Sequence, residues 1–355
     1  MTFSTVPDTP VVNNIDLDQD APRNGAVPPR CPSPPHAAGG DKAKARAILA
    51  AIRTLQAIEQ AQRPATPEER QILARFPGFG PVALGIFPDP VTGQYKDAGW
   101  QHLGDELQAL LPPEDYASAK RTTFTAFYTS PMIMQAMYAA LARLGVPAEA
   151  TVLEPGCGIG HFLTYAPAGM RFIGVELDRL SGRMARVLHP EHDIRIEHFR
   201  DTRLPEDHID AVIGNVPFAD LRLDFHGMRL ALHDFFLAKS LDALKPGGIL
   251  TLVTSHYTLD KQHPGLRTHL AQQADFLGAI RLPAEAFAQE GTRVVTDILC
   301  LRKRARRGSP PRGPSLAGDR PPRHRGRRDP RQPVLSSASR HGARHLEPPR
   351  PALCR

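Results

Sequence analysis

Between residues 127 and 303 short apolar runs alternate with amphipathic stretches, and this alternation limits the possible folds more than any other feature of the chain. Pro131–Leu144 reads as an amphipathic helix and Ala150–Leu153 as a strand that ends in a glycine-rich turn. Arg171–Val175 reads as a strand, Leu180–Leu188 as a helix and Ile194–Glu197 as a short strand. Ala211–Ile213 is an apolar run ended by Gly214. Asp234–Leu244 reads as a helix closed by Lys245-Pro246-Gly247-Gly248, before a strand at Ile249–Thr254. Phe276–Arg281 and Thr296–Leu301 supply two further strands. Strands joined through helices pair in parallel and are covered on both faces. Their ligand crevice opens at the carboxyl ends of the strands.

The flanking regions differ in composition. Residues 1–40 hold eight prolines and few large apolar side chains, and are expected to be disordered. Residues 41–126 read as a helical N-terminal region. From Asp41 to about Arg63, Ile48, Ile52 and Leu55 recur at helical spacing, with Asp41 as a candidate N-cap. Pro/Gly loops follow, with a helical piece at Leu103–Leu111 and the sole tryptophan, Trp100, expected to pack there. Residues 304–355 are rich in Arg and Pro, as in a disordered basic arm or a solvated linker. A third reading is a frameshift near Arg304–Ser309: read one nucleotide out of register, with suitable codons, 314–353 can encode a globular-looking segment with Trp and Tyr. The chain would then be a truncated fragment, and resequencing the locus tests this.

Charge follows the same division. Of the 44 basic and 37 acidic side chains, sixteen and three lie in residues 302–355, which leaves 28 basic and 34 acidic, net −6, in residues 1–301. The body therefore has no bulk basic field for a phosphate backbone. Cys31, Cys157, Cys300 and Cys354 are scattered with no C-x-x-C pair, against a disulfide framework or zinc ribbon and in keeping with a reducing cytoplasm. No apolar window is long enough for a membrane span, and no H-E-x-x-H or similar histidine spacing points to a metal.

Three motifs carry chemistry. Leu153-Glu154-Pro155-Gly156-Cys157-Gly158-Ile159-Gly160 follows a strand and precedes a helix, and its glycines let backbone turn sharply and approach a ligand. Such a turn also suits nicotinamide or flavin sites, or a plain loop. About twenty residues on, Phe172-Ile173-Gly174-Val175-Glu176-Leu177-Asp178 ends a strand in an acid able to accept both hydroxyls of a ribose; Glu176 is better placed than Asp178. The plainer alternative is an acid that caps the next helix. The third is Ala211-Val212-Ile213-Gly214-Asn215-Val216-Pro217-Phe218, which read alone is equally a strand-end turn.

Glu154-Pro155-Gly156-Cys157-Gly158 resembles motif I of S-adenosylmethionine-dependent methyltransferases, and Asn215-Val216-Pro217-Phe218 resembles the Asn-Pro-Pro-Tyr/Phe motif of amino-methyltransferases. Thr125-Ala126-Phe127-Tyr128-Thr129-Ser130-Pro131 resembles the family's motif X, although Thr129 or Ser130 would serve equally as an N-cap. The order of the motifs resembles the gamma arrangement of N6-adenine DNA methyltransferases. The stretch 66–303 looks like the methylase part of phage- and plasmid-borne methyltransferase–helicase proteins, with Ile72-Leu73-Ala74-Arg75-Phe76 and Ile280-Arg281-Leu282-Pro283 among the matching pieces.

The resemblance implies a Rossmann-like α/β methyltransferase fold over 127–303, a mostly parallel sheet with helices on both faces. It implies S-adenosyl-L-methionine as cofactor, held by Tyr128, Thr129, Glu154, Pro155, Gly156, Gly158, Gly160, Glu176, Leu177 and Phe199. Phe199 is as readily a core residue, and His198 stands where the family has an aspartate for the cofactor adenine. It implies that Asn215 and the carbonyl of Val216 accept the two amine protons of an adenine flipped out of DNA, with Pro217 shaping the loop and Phe218 stacking on the base. Valine at 216 keeps the carbonyl and loses the fixed φ of proline. The implied setting is a bacterial, phage or plasmid cytoplasm, with the family's helicase region lost from this chain. No target-recognition segment follows Leu301, so isolated activity is expected to be weak. Two other readings stand beside this one: methylation of a protein glutamine or an RNA base, favoured by the charge of the body, and an inactive binding remnant.

Overall fold

The computed structural model describes residues 40–122, 129–205, 207–290 and 294–305. The expected disorder of residues 1–39, the nature of the tail from residue 306, and Tyr128 lie outside the described residues. The helical N-terminal region begins with α1 (Asp41–Ala61), whose alanine-rich sequence leaves Ile48, Ile52 and Leu55 wholly buried on one face. Its N-cap is Gly40 rather than Asp41, which sits in the first turn, where a negative charge faces the positive end of the helix dipole. Then come α2 (Pro67–Ala74), started by a Thr66/Glu69 capping box, α3 (Ala83–Ile86), α4 (Ala98–Leu110) and α5 (Pro113–Thr122). Asp97 caps α4 by accepting from the Trp100 N–H at 3.0 Å, and Trp100 is buried. The core of this region contains Ile52, Phe76 and Leu107, and reaches Ile159, Leu180 and Met184 of the following region.

Next in order are α6 (Pro131–Arg143), β1 (Thr151–Pro155), α7 (His161–Thr164), β2 (Arg171–Glu176), α8 (Arg179–Leu188), β3 (Asp193–Ile196) and β4 (Ile209–Asn215). A hairpin, β5 (Arg222–Phe225) and β6 (Met228–Ala231), leads into α9 (Leu232–Ala243). The chain continues through β7 (Leu244–Ser255), α10 (Tyr257–Asp260), α11 (Gly265–Gln273), β8 (Ala274–Leu282) and β9 (Thr296–Lys303). Seven strands form one sheet in the order β3-β2-β1-β4-β7-β9-β8. The pairs from β3 to β7 are parallel, and β9 lies antiparallel to both β7 and β8. This is a mostly parallel α/β sheet.

Alternate residues of each central strand face opposite sides. Leu153, Val212, Leu250 and Leu252 pack with α9, whereas Val152, Ile213, Ile249 and Val253 pack with α6 and Phe162. Helices therefore cover both faces. From β1 the chain moves outward to β2 and β3, then crosses to β4 on the other side of β1. That reversal opens a crevice beyond the carboxyl ends of β1 and β4, where the glycine turn and the Asn215 loop begin. Two details depart from the sequence expectation. Lys245-Pro246-Gly247-Gly248 lies inside β7 as an irregularity, since Ile209 pairs with Leu244 while Ala211 pairs with Ile249. The β5–β6 hairpin, turning at His226-Gly227 with both φ positive (48° and 75°), was not foreseen.

Candidate active site

The turn after β1 is tied to β2 by its backbone: the Gly156 and Cys157 N–H groups both donate to the Val175 carbonyl, at 2.7 and 3.0 Å. Gly156 and Gly158 take φ of 77° and 57°, a left-handed backbone that side chains resist. The next N–H, of Gly158, donates to Glu176 Oε2 at 2.8 Å, and the Asp178 N–H donates to Glu176 Oε1 at 2.7 Å. Glu176 is thus fixed at the end of β2 by two backbone donors. Burial, with the Asp178 charge adding to it, still pushes its carboxyl up to about 7 against those donors. Asp178 is the residue that caps α8, accepting from the Ser181 N–H at 2.9 Å.

Glu154, on β1, is 2% exposed, and burial followed by the Glu176 charge holds its carboxyl far above the ordinary range. Its Oε2 is buried without a hydrogen-bond partner among the described residues, and so is Thr129 Oγ1. Buried polar atoms are seldom left so unless something else completes them. Across the crevice Asn215 ends β4, and the Val216 N–H donates to the Val253 carbonyl at 3.2 Å. Val216 is buried in the core beneath α9. The two loops meet closely: a Cβ on residue 156 would stand 3.4 Å from Pro217 Cδ and 3.8 Å from the Phe236 ring.

One cavity of about 940 Å³ joins these parts. Thr129, Glu154, Gly156, Gly158, Glu176 and Leu177 line it toward β1 and β2, and Phe199, Asn215, Val216 and Pro217 toward β3 and β4. Phe199 is both wall and core, with its ring 4.8 Å from that of Phe236 and Lys239 Nζ 5.1 Å from its centre. Three expected residues do not line the cavity. Pro155 is the last residue of β1, paired with Val175. Gly160 starts α7, where a Cβ would come within 2.6 Å of the His189 ring. Phe218 packs beside His233, ring centres 6.2 Å apart.

The cavity also has walls that the motifs did not announce. Leu232, Phe235 and Phe236 come from α9, and Phe79, Glu114, Ser118 and Arg121 from the helical N-terminal region. The end beside Asn215 is apolar, with Pro217, Ala219, Leu221, Leu223 and Phe235, whereas the end beside Glu176 is charged, with Glu114, Asp178 and Glu197 among arginines such as Arg121 and Arg179. Such a space suits a cationic, sugar-bearing ligand at one end and a flat, weakly polar group at the other.

No family model matches the sequence. A 209-residue stretch, 57% of this chain, is 31% identical to Defense against restriction protein B of Escherichia phage P1, and the chain spans 9% of the length of that relative. Among solved structures, a class I S-adenosylmethionine-dependent methyltransferase from Listeria monocytogenes has 15% identity and a TM-score of 0.45, over 76% of this chain and 91% of that one. A type I restriction-modification methyltransferase subunit from Streptococcus thermophilus has 17% identity and a TM-score of 0.44, over 72% and 65%. These structural likenesses are of fold. No described helix is long and apolar enough to cross a membrane.

Proposed function

We propose that this chain transfers a methyl group from S-adenosylmethionine to the exocyclic N6 amine of adenine in DNA. The supporting observation is that one cavity contains both the glycine turn with Glu154 and the Asn215 loop, spaced so that a Cβ on residue 156 would meet Pro217 Cδ at 3.4 Å. The residues present fit the cofactor. Glu154 and Thr129 offer buried oxygens without partners to an amino-acid group, and Glu176 offers a carboxylate to ribose hydroxyls. Leu177 and Phe199 supply apolar surface for its adenine. When bound, the cofactor supplies a sulfonium methyl: the S–C bond breaks as the C–N bond forms, and sulfur keeps the electron pair.

The chain's own residues act on the acceptor. The amide oxygen of Asn215 and the carbonyl of Val216 accept the two N–H groups of the amine. This draws the nitrogen lone pair out of the ring and toward the methyl group. The surplus proton is lost from the methylated nitrogen to bulk solvent as the base leaves the pocket. The apolar wall of Pro217, Leu223 and Phe235 excludes water around the base, and Phe218 stacks on it once its ring leaves His233. Residues 127–303 form the methyltransferase unit in this reading, with 41–126 as its helical companion. The match to a phage protein named for defence against restriction supports a setting in mobile elements.

The test uses methyl-labelled cofactor with DNA, RNA and protein acceptors. Label should enter DNA as N6-methyladenine, and Asn215→Ala should reduce its rate by about 100-fold or more, as expected for loss of a fixed transition-state partner. Cofactor binding should be unchanged in that variant. Label in RNA or protein instead would reassign the substrate, and binding with no transfer to any acceptor would leave a binding module.

A further inference from the structure

The donor end of the cavity is not built by the methyltransferase region alone. Ser118, Glu114 and Arg121 on α5 line it together with Glu176 and Asp178. Ser118 is buried, and its Oγ donates to Asp178 Oδ1 at 3.0 Å. The other oxygen of Asp178 accepts from the Ser181 N–H and hydroxyl, at 2.9 and 2.7 Å. The Asp178 N–H in turn holds Glu176 Oε1 at 2.7 Å. A continuous chain therefore runs from a helical side chain, through a buried carboxylate, to the acid expected to hold the ribose. Two ion pairs clamp the same helix to α8. Asp115, 2% exposed, meets Arg183 Nη1 at 2.9 Å and Arg179 Nε at 3.5 Å, and Arg183 Nε reaches Glu59 of α1 at 2.8 Å.

We propose that α5 is a working arm of the donor site, in which Ser118 is a positioning residue that sets Glu176 through Asp178. The inference rests on the reading of Glu176 as the ribose acid. The physical reason is the cost of holding three acids close together away from water. The Ser118 hydroxyl offsets part of the Asp178 charge and fixes the head of α8, so the Asp178 N–H points at Glu176. The titratable groups around Glu176 are Glu154 on β1, Cys157 in the turn, Asp178 at the N-cap of α8, and Glu197 and His198 after β3. Glu114, Arg121 and Arg179 line the same cavity. Without the Ser118 donor, Asp178 acts on Glu176 with its full charge. Donor binding and the docking of α5 then favour each other, as linkage requires.

The experiment is titration of the full chain with S-adenosylhomocysteine across pH 6–8, with hydrogen exchange measured in parallel. Ser118→Ala should weaken binding about fivefold, the worth of one such hydrogen bond, and move the pH midpoint of binding upward. Ser118→Thr, which keeps the hydroxyl, should restore both. Binding should slow exchange in residues 113–122 as well as in the glycine turn. Unchanged affinity and midpoint in Ser118→Ala, or slowed exchange confined to the turn, would overturn the role of α5 and leave the donor site standing. Failure of the unaltered chain to bind at all would overturn both.

Discussion

The two acids of the cavity illustrate how much a single residue position can determine. A carboxyl held at about 7 is half protonated at neutral pH. If Glu176 holds the ribose as proposed, its carboxylate is the form that accepts the hydroxyls and favours a cation, so cofactor affinity should rise from pH 6 to pH 8. The same group opposes folding: its value is raised above the ordinary 4.5, so the stability it contributes is present below 4.5 and is lost as pH climbs through about 7. His189 acts in the opposite sense. Burial lowers it from 6.5 to about 4, so its contribution is present above 6.5 and is lost as pH falls through about 4. Glu176→Gln isolates the effect of the buried acid. Relative to the parent, the variant should gain up to about 3 kcal/mol as pH goes from 5 to 8, read by urea unfolding at each pH. A difference that is flat with pH would remove the buried acid from the account. Glu154, Glu176 and Asn215 could be found in the sequence because each stands at the end of an apolar run. Ser118 could not, since its partner is sixty positions away and nothing local marks the pair.

At the level of elements, apolar periodicity identified most of the strands and the helices between them. It did not supply their order. Nothing in Thr296–Leu301 announces that this last strand inserts antiparallel between β7 and β8, because that position depends on which edge remains open after the others pair. The β5–β6 hairpin does alternate, with Leu223, Phe225, Met228 and Leu230 turned to the core between Arg222, Asp224 and Arg229, but four residues per strand is too short a run to separate from a loop. The junction of the turn with α7 offers a test of packing. Gly160→Ala combines a φ of 86° with a methyl group within 2.6 Å of His189. It should cost roughly 1–3 kcal/mol, the range for a strained backbone position, and His189→Ala should recover the steric part in a double-mutant cycle. Additive losses would mean that the ring and the turn do not press on each other.

Over the whole molecule, charge and packing bear on the proposed activity in different ways. Residues 1–301 carry net −6, so they lack the field that draws proteins along DNA. Turnover on plain duplex DNA by residues 1–301 should therefore be slower than that of free-standing adenine methylases and should change little with added salt. Rapid turnover that falls steeply with salt would contradict this. The helical N-terminal region, by contrast, packs into the same body: its core includes Ile159, Leu180 and Met184, and its α5 walls the cavity. The central claim is a methyl-donor pocket built on Glu176 and the glycine turn. Calorimetric titration with S-adenosylmethionine tests it most directly. The parent should bind one equivalent, and Glu176→Ala should bind at least about tenfold more weakly, as when a charged hydrogen-bonding partner is lost. No heat of binding from the parent, or equal affinity in the two proteins, would contradict it.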